Sequence, residues 1–186
     1  MPGRLLTALR SETHEHHRQL DAALAMSASA ITRDRYVAFL RGSLAAVAPL
    51  EAAMLAWFPA PGEPTRRECL LADLAALGAV AGAEDDAAPI DATREQALGW
   101  SYVLAGSTLG GMVLAREVEA ALGPAAPTRY LRLRGEGTAA AWKAFLVGLA
   151  EHDEALSEAQ VVAVCRAAAA AFARFTAAFT AAGAIR

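Results

Sequence analysis

The stretch Ala97 to Ala115, ALGWSYVLAGSTLGGMVLA, decides how this chain reads: it holds no charged side chain and carries glycine at Gly99, Gly106, Gly110 and Gly111. Each glycine inside a helix costs about 1 kcal/mol relative to alanine. Four in one apolar run, two of them adjacent, need a compensating contact, and close approach of another helix or of a flat ligand supplies one. Three readings follow. The run is near the length of a membrane span, and Gly106-Ser-Thr-Leu-Gly110 fits the small-xxx-small pattern of helices that touch in lipid. Against this, Trp100, Ser101, Tyr102, Ser107 and Thr108 make it more polar than a span, Arg94 and Glu95 stand directly ahead of it, and no second such segment stands out. The second reading is a buried core helix bent at Gly110-Gly111, since paired small residues are a known cause of kinks. The third is a kinked helix lying flat over a cofactor, its Cβ-free backbone leaving room for the ligand.

Outward from this run, the chain reads as helix nearly throughout. It is rich in alanine and poor in valine, isoleucine and threonine, which favours helix, and no strand is predicted. A first helix is expected from about Pro2 to Met26, with Leu6, Leu9, Thr13, His16 or His17, Leu20 and Leu24 along one face. Thr32 can cap a second, through Tyr36, Phe39, Leu40, Leu44, Val47 and Leu50 to Trp57, with a bend at Pro49. Pro59 to Pro64 is a loop. A third helix, Thr65 to Val80, presents Cys69, Leu70, Leu71, Leu74 and Leu77, and ends in Gly82 and the acidic loop AEDDAAPID. Thr93 with Gln96 forms a capping box opening the glycine-rich helix, which Gly123-Pro124 stops. After the less regular RYLRLRGEGT, a helix spans Thr138 to about His152 with Trp142, Phe145, Leu146 and Leu149. Ser157 with Gln160 opens the last, which runs to about Ala182 and stripes Phe172, Phe175 and Phe179 on one side. The expected architecture is an all-α bundle, residues 1–186 forming a single domain.

Bulk properties narrow the function classes. A chain of 186 residues, 55% hydrophobic, suits one well-buried domain. The net charge of −3 gives no basic footprint for nucleic acid. Cys69 and Cys165 stand far apart with no CxxC spacing, as reduced thiols do. Charge and histidine arrive too early at the N-terminus for a signal-peptide core, so a cytoplasmic location is expected.

Three of the four histidines cluster in Thr13-His14-Glu15-His16-His17-Arg18. They can form a solvated helix face. His14 and His17 are three apart and can share a metal, but the HExxH spacing of zinc proteases is missing. An inward His can also serve as an axial heme ligand, and periodicity alone does not separate His16 from His17. Ser107 has no partner for a hydrolase triad, and neither GxGxxG nor a Walker-type loop is present. A histidine helix, a glycine helix and cations at helix ends describe a slot for a flat, anionic macrocycle.

Two segments give the chain a family likeness. LRSETHEHHRQLD, Leu9 to Asp21, and YVLAGSTLGGMVL, Tyr102 to Leu114, resemble the first and distal helices of the heme oxygenases, most nearly the bacterial, bacteriophytochrome-associated subgroup that makes biliverdin. The resemblance implies a heme oxygenase-type bundle with heme sandwiched between the first helix and the glycine-kinked distal helix. In the family a Thr precedes the proximal His by four positions, so Thr13 selects His17 as the iron ligand. It further implies oxidative opening of heme to biliverdin, CO and ferrous iron, with heme as substrate and cofactor, O2 as oxidant, and electrons from a ferredoxin or flavoprotein reductase. Gly106, Gly110 and Gly111 then form the distal lid, and Ser107 and Thr108 hold water beside it. Arg10 is the candidate for the heme propionates, Lys143 a weaker one and Arg132 and Arg134 weaker still, and Tyr130 is a candidate for a pocket wall. Many members carry Asp where this chain has Ser107, and the subgroup carries Glu where it has Ala105. The alternative is therefore a heme- or bilin-binding protein of the same fold that does not open the ring. A thiamin-degrading enzyme of the related superfamily is a third reading, but neither cysteine sits in a supporting motif.

Overall fold

The computed structural model describes residues 3–60, 62–82 and 90–185. Among these residues seven α-helices follow in order: α1 Arg4–Leu24, α2 Arg33–Trp57, α3 Arg66–Ala76, α4 Arg94–Leu122, the single turn α5 Arg129–Arg132, α6 Thr138–Ala155 and α7 Glu158–Ala181, with a 3₁₀ turn at Gly135–Gly137 ahead of α6. No strand occurs among the described residues. Pro2 and most of the acidic loop AEDDAAPID lie outside those residues.

Local chemistry opens several helices as expected. Thr32 accepts from Arg35 N, and Thr93 with Gln96 and Ser157 with Gln160 form reciprocal capping boxes; each such cap is worth about 1 kcal/mol. Thr65 with Glu68 makes a third box that the sequence reading did not single out. Gly123, at φ 96°, closes α4. α3 stops at Ala76 and not at Val80, because Gly78 takes a left-handed φ of 61° and turns the chain.

Other helix starts are held from a distance. Asp153 of α6 accepts from Leu5 N at the head of α1 (2.9 Å), Glu51 of α2 accepts from Arg66 N and Arg67 N at the head of α3 (2.9 and 3.0 Å), and Asp73 of α3 accepts from Arg129 N and Tyr130 N at the head of α5 (3.1 and 2.9 Å). These carboxylates satisfy donors that a helix leaves orphaned at its first turn and favour its positive end.

The core forms around α7, which packs on α1, α2 and α4. Leu5 and Leu9 of α1, Tyr36, Leu40 and Leu44 of α2, Leu104 and Val118 of α4 and Val164 of α7 are essentially inaccessible and belong to one continuous cluster; each such side chain contributes on the order of 1.5–3 kcal/mol. On α1 the buried line is Leu5, Leu9, Thr13, with Leu6 only partly covered, so the inner stripe is displaced by one residue from the expected start. On α6 only Thr138 and Leu149 are buried; Trp142 and Phe145 stack on each other at 5.5 Å and stay half-buried. Two glycines let α7 come this close. A Cβ at Gly42 would stand 3.1 Å from Phe179 Cα, and one at Gly99 would overlap the Val164 carbonyl oxygen and stand 3.0 Å from Ala168 N.

α2, α4 and α7 are each long and apolar enough to cross a membrane by length and composition, which corrects the expectation that the glycine run is alone in this. The apolar content of α2 is spent on packing, 67% of its most apolar window being buried among the other helices.

Candidate functional site

The two motif helices face each other across a cavity of about 790 Å³, within the range of small-molecule sites. α1 contributes Arg10, Thr13, His14, His17 and Asp21; α4 contributes Gly106, Ser107, Thr108, Gly110, Gly111 and Val113. Phe39 of α2 and Phe172, Phe175 and Phe179 of α7 form an aromatic wall, and Tyr130, Leu131 and Leu133 bound the cavity from α5 and the residue that follows it. The phenylalanine stripe of α7 is thus core and cavity wall at once.

On the α1 side, position separates the histidines. His14 and His17 line the cavity, whereas His16 lies nearly parallel to Phe172, at 6.2 Å between ring centres. His17 meets the same ring edge-on at 6.0 Å, and its Nδ1 pairs with Asp21 Oδ2 at 3.1 Å. With Nδ1 engaged, Nε2 is the nitrogen left for a ligand. A carboxylate in this position fixes ring orientation and raises the basicity of the free nitrogen. Asp21 was missed as a site residue, although its i,i+4 spacing from His17 was visible in the sequence. Thr13 is buried and its hydroxyl donates to Leu9 O at 2.7 Å, so it is spent on its own helix. Among the described residues no three His, Cys, Asp or Glu side chains converge as a metal-ligand set.

On the α4 side, the glycines divide. A Cβ at Gly110 would meet nothing within 4 Å, and one at Gly106 only the Trp142 ring edge at 3.9 Å. A Cβ at Gly111 would stand 2.6 Å from the Leu131 carbonyl oxygen, so this glycine admits α5. Gly110 faces open space, and Gly106 has room for ordinary contact with Trp142. The polar groups between them look inward along the helix: Ser107 Oγ donates to Leu104 O at 2.9 Å and Thr108 Oγ1 to Ala105 O at 2.6 Å. Each hydroxyl keeps acceptor capacity.

The cationic candidates separate as well. Arg10 is exposed at the rim and makes no ion pair among the described residues. Lys143 is exposed on α6 and does not line the cavity, because the inward side of that helix is taken by Trp142 and Phe145. Arg132 is held by Glu119 through both carboxylate oxygens at 2.8 Å. Arg134 pairs with Glu63 at 3.4 Å and borders a second cavity, of about 270 Å³. Tyr130 does line the main cavity, and burial pushes its phenol above the usual value. Arg66, also absent from the expected set, borders both cavities; it pairs with Glu51 and donates to Leu104 O at 3.0 Å. Cys69 and Cys165 are buried, and neither lines either cavity.

No protein-family model and no curated protein matches this sequence. Among solved structures, the chain superposes on a heme oxygenase from Neisseria meningitidis, studied with NO and CO bound, at a TM-score of 0.78 and 20% identity over 98% of this chain and 93% of that one. It superposes on the heme oxygenase from Leptospira interrogans at a TM-score of 0.72 and 17% identity, covering 97% of this chain and 100% of that one. The fold is the all-helical fold of the heme oxygenases.

Proposed function

We propose that this chain binds heme between His17 and the glycine segment of α4 and opens it oxidatively to biliverdin, CO and ferrous iron. One observation carries the reading: an imidazole oriented by a carboxylate faces, across an apolar cavity of macrocycle size, the segment of α4 that carries three glycines in six residues. Bound heme would supply both the iron that activates O2 and the ring that is oxidised. The chain's own part is positioning. His17 Nε2 would hold the iron, with Asp21 fixing the imidazole ring. Gly106 and Gly110 would let the backbone of α4 come close to the opposite face of the macrocycle. Phe39, Phe172, Phe175 and Phe179 keep water from the inner edge, while Arg10 offers a cation to carboxylates at the rim. Ser107 and Thr108 can anchor water that carries protons to the distal side.

A second reading, heme or bilin binding without ring opening, is favoured by the commitment of both distal hydroxyls to helix carbonyls. The carboxylate on that side of the cavity, Glu117, is likewise occupied, accepting from Ala28 N at 2.7 Å. An electron-donating ferredoxin or flavoprotein reductase, delivery of biliverdin to a bacteriophytochrome, a cytoplasmic location and a single domain over 1–186 are parts of the same proposal and rest on the sequence resemblance and composition. The test is an absorbance time course of purified protein with hemin, then with ascorbate under air in the presence of catalase. Growth of a Soret band that decays into a broad red biliverdin band supports ring opening; a Soret band that persists supports the binding reading. His17→Ala should abolish the wild-type Soret signature, and an unchanged spectrum would remove the ligand assignment.

A further inference from the structure

Asp73 is a fully buried carboxylate that borders neither cavity and pairs with no cation among the described residues. Burying a carboxylate without compensation costs several kcal/mol, so its hydrogen bonds reveal what it is for. They are the two to Arg129 N and Tyr130 N. These are first-turn donors of α5, a helix of four residues that is too short to persist alone. Thr128, in the capping position, makes no cap bond; its hydroxyl meets Glu119 Oε1 at 3.2 Å. Tyr36 OH donates to Pro127 O at 2.7 Å, and Arg132 is clamped by the same Glu119. The segment 127–132 is therefore held by side chains from α2, α3 and α4, with Asp73 supplying what its own sequence lacks.

What α5 carries makes this more than a fold contact. Tyr130 and Leu131 line the main cavity, and the Leu131 carbonyl fills the place a Cβ of Gly111 would take. We propose that Asp73 is a positioning residue: by capping α5 from α3 it sets how closely Tyr130 and Leu131 approach the Gly110-Gly111 segment, and so the shape of the distal wall over the bound macrocycle. This deepens the heme reading and rests on it for the identity of the ligand. Burial pushes the Asp73 carboxyl up, and the two N–H groups and the Arg129 charge pull it back.

The test compares wild type with Asp73→Asn, which keeps one acceptor oxygen and orphans one N–H, by amide hydrogen exchange on the ligand-free protein and by hemin titration. Loss of one charge-assisted bond should speed exchange over 128–133 by roughly tenfold or more, leave α1 and α7 protected, shift the Soret maximum and weaken hemin binding. Tyr36→Phe, which frees Pro127 O without disturbing a buried charge, should move the same observables less, and it serves as the test if Asp73→Asn does not fold. Unchanged exchange over 128–133 overturns the proposal. So does accelerated exchange with an unaltered Soret band and hemin affinity, since Asp73 would then be structural only. A wild-type protein without a Soret band overturns the heme reading, while the exchange arm still decides whether Asp73 holds α5.

Discussion

The two halves of α4 use the same residue for opposite ends. In the first half, Gly99 is filled from outside: α7 lies so close that a methyl group there would overlap the Val164 carbonyl. In the second half, both Gly106 and Gly110 line the cavity and neither is crowded: a methyl group at Gly110 would meet nothing within 4 Å, and one at Gly106 only the Trp142 ring at ordinary contact distance. Gly111, at the border, is filled by α5. Glycine in a helix therefore signals that something comes close, and only the surroundings tell whether it is another helix or a ligand. The packed half anchors the helix, while the open half keeps its glycine positions uncrowded beside the cavity.

Substitutions should separate the halves. Gly99→Leu carries the largest expected effect, since Val164, Ala167 and Ala168 leave no room. We expect a loss of about 3 kcal/mol or more, read by denaturant unfolding; wild-type stability would break the comparison. Gly111→Ala should cost less, about 1–2 kcal/mol, because overpacking against the Leu131 carbonyl is partly offset by better helix propensity. Gly110→Ala should have the opposite sign, stabilising the ligand-free protein by up to about 1 kcal/mol while weakening hemin binding. A stabilised variant with undiminished hemin affinity would mean the open half is not the ligand face.

The smallest effect concerns the anchor of the packed half. Arg94, the first residue of α4, donates to His152 Nδ1 at 3.1 Å, and burial, followed by the Arg94 charge, holds the His152 pKa below 6.5. The native state thus keeps this imidazole neutral where the unfolded chain would protonate it. Stability should fall as pH is lowered through 6.5 and level off below the depressed native value. His152→Gln should flatten that part of the urea-unfolding pH profile, and an unchanged slope would remove His152 as its source.

Much of the fold was legible because its signals are local. Thr32, Thr93 and Ser157 cap their helices with atoms three residues away, and Gly123 ends α4 through its own backbone. The phenylalanine stripe of α7 follows from helical period alone. The site was legible in part. The two motifs led to Ser107, Thr108 and the glycines, which do share one cavity with His17. Spacing within α1 left His16 and His17 open, since adjacent residues differ by only 100° around the helix. Lys143 illustrates the limit: a cation on an aromatic helix looked usable until Trp142 and Phe145 took the inward side.

What the sequence determined by itself is a set of helices, their local caps, and two segments able to hold a flat ligand. What tertiary structure decided is everything that depends on groups far apart in the chain. Asp153, Glu51 and Asp73 cap α1, α3 and α5 from neighbouring helices, across separations of 148, 15 and 56 residues in the chain. No periodicity encodes such pairs, because a buried carboxylate is stable only where the folded core brings backbone N–H groups to it. The same holds for the glycines of α4. Their cost is written in the sequence, and what fills or leaves open the space beside them is set by how α5, α6 and α7 come to rest.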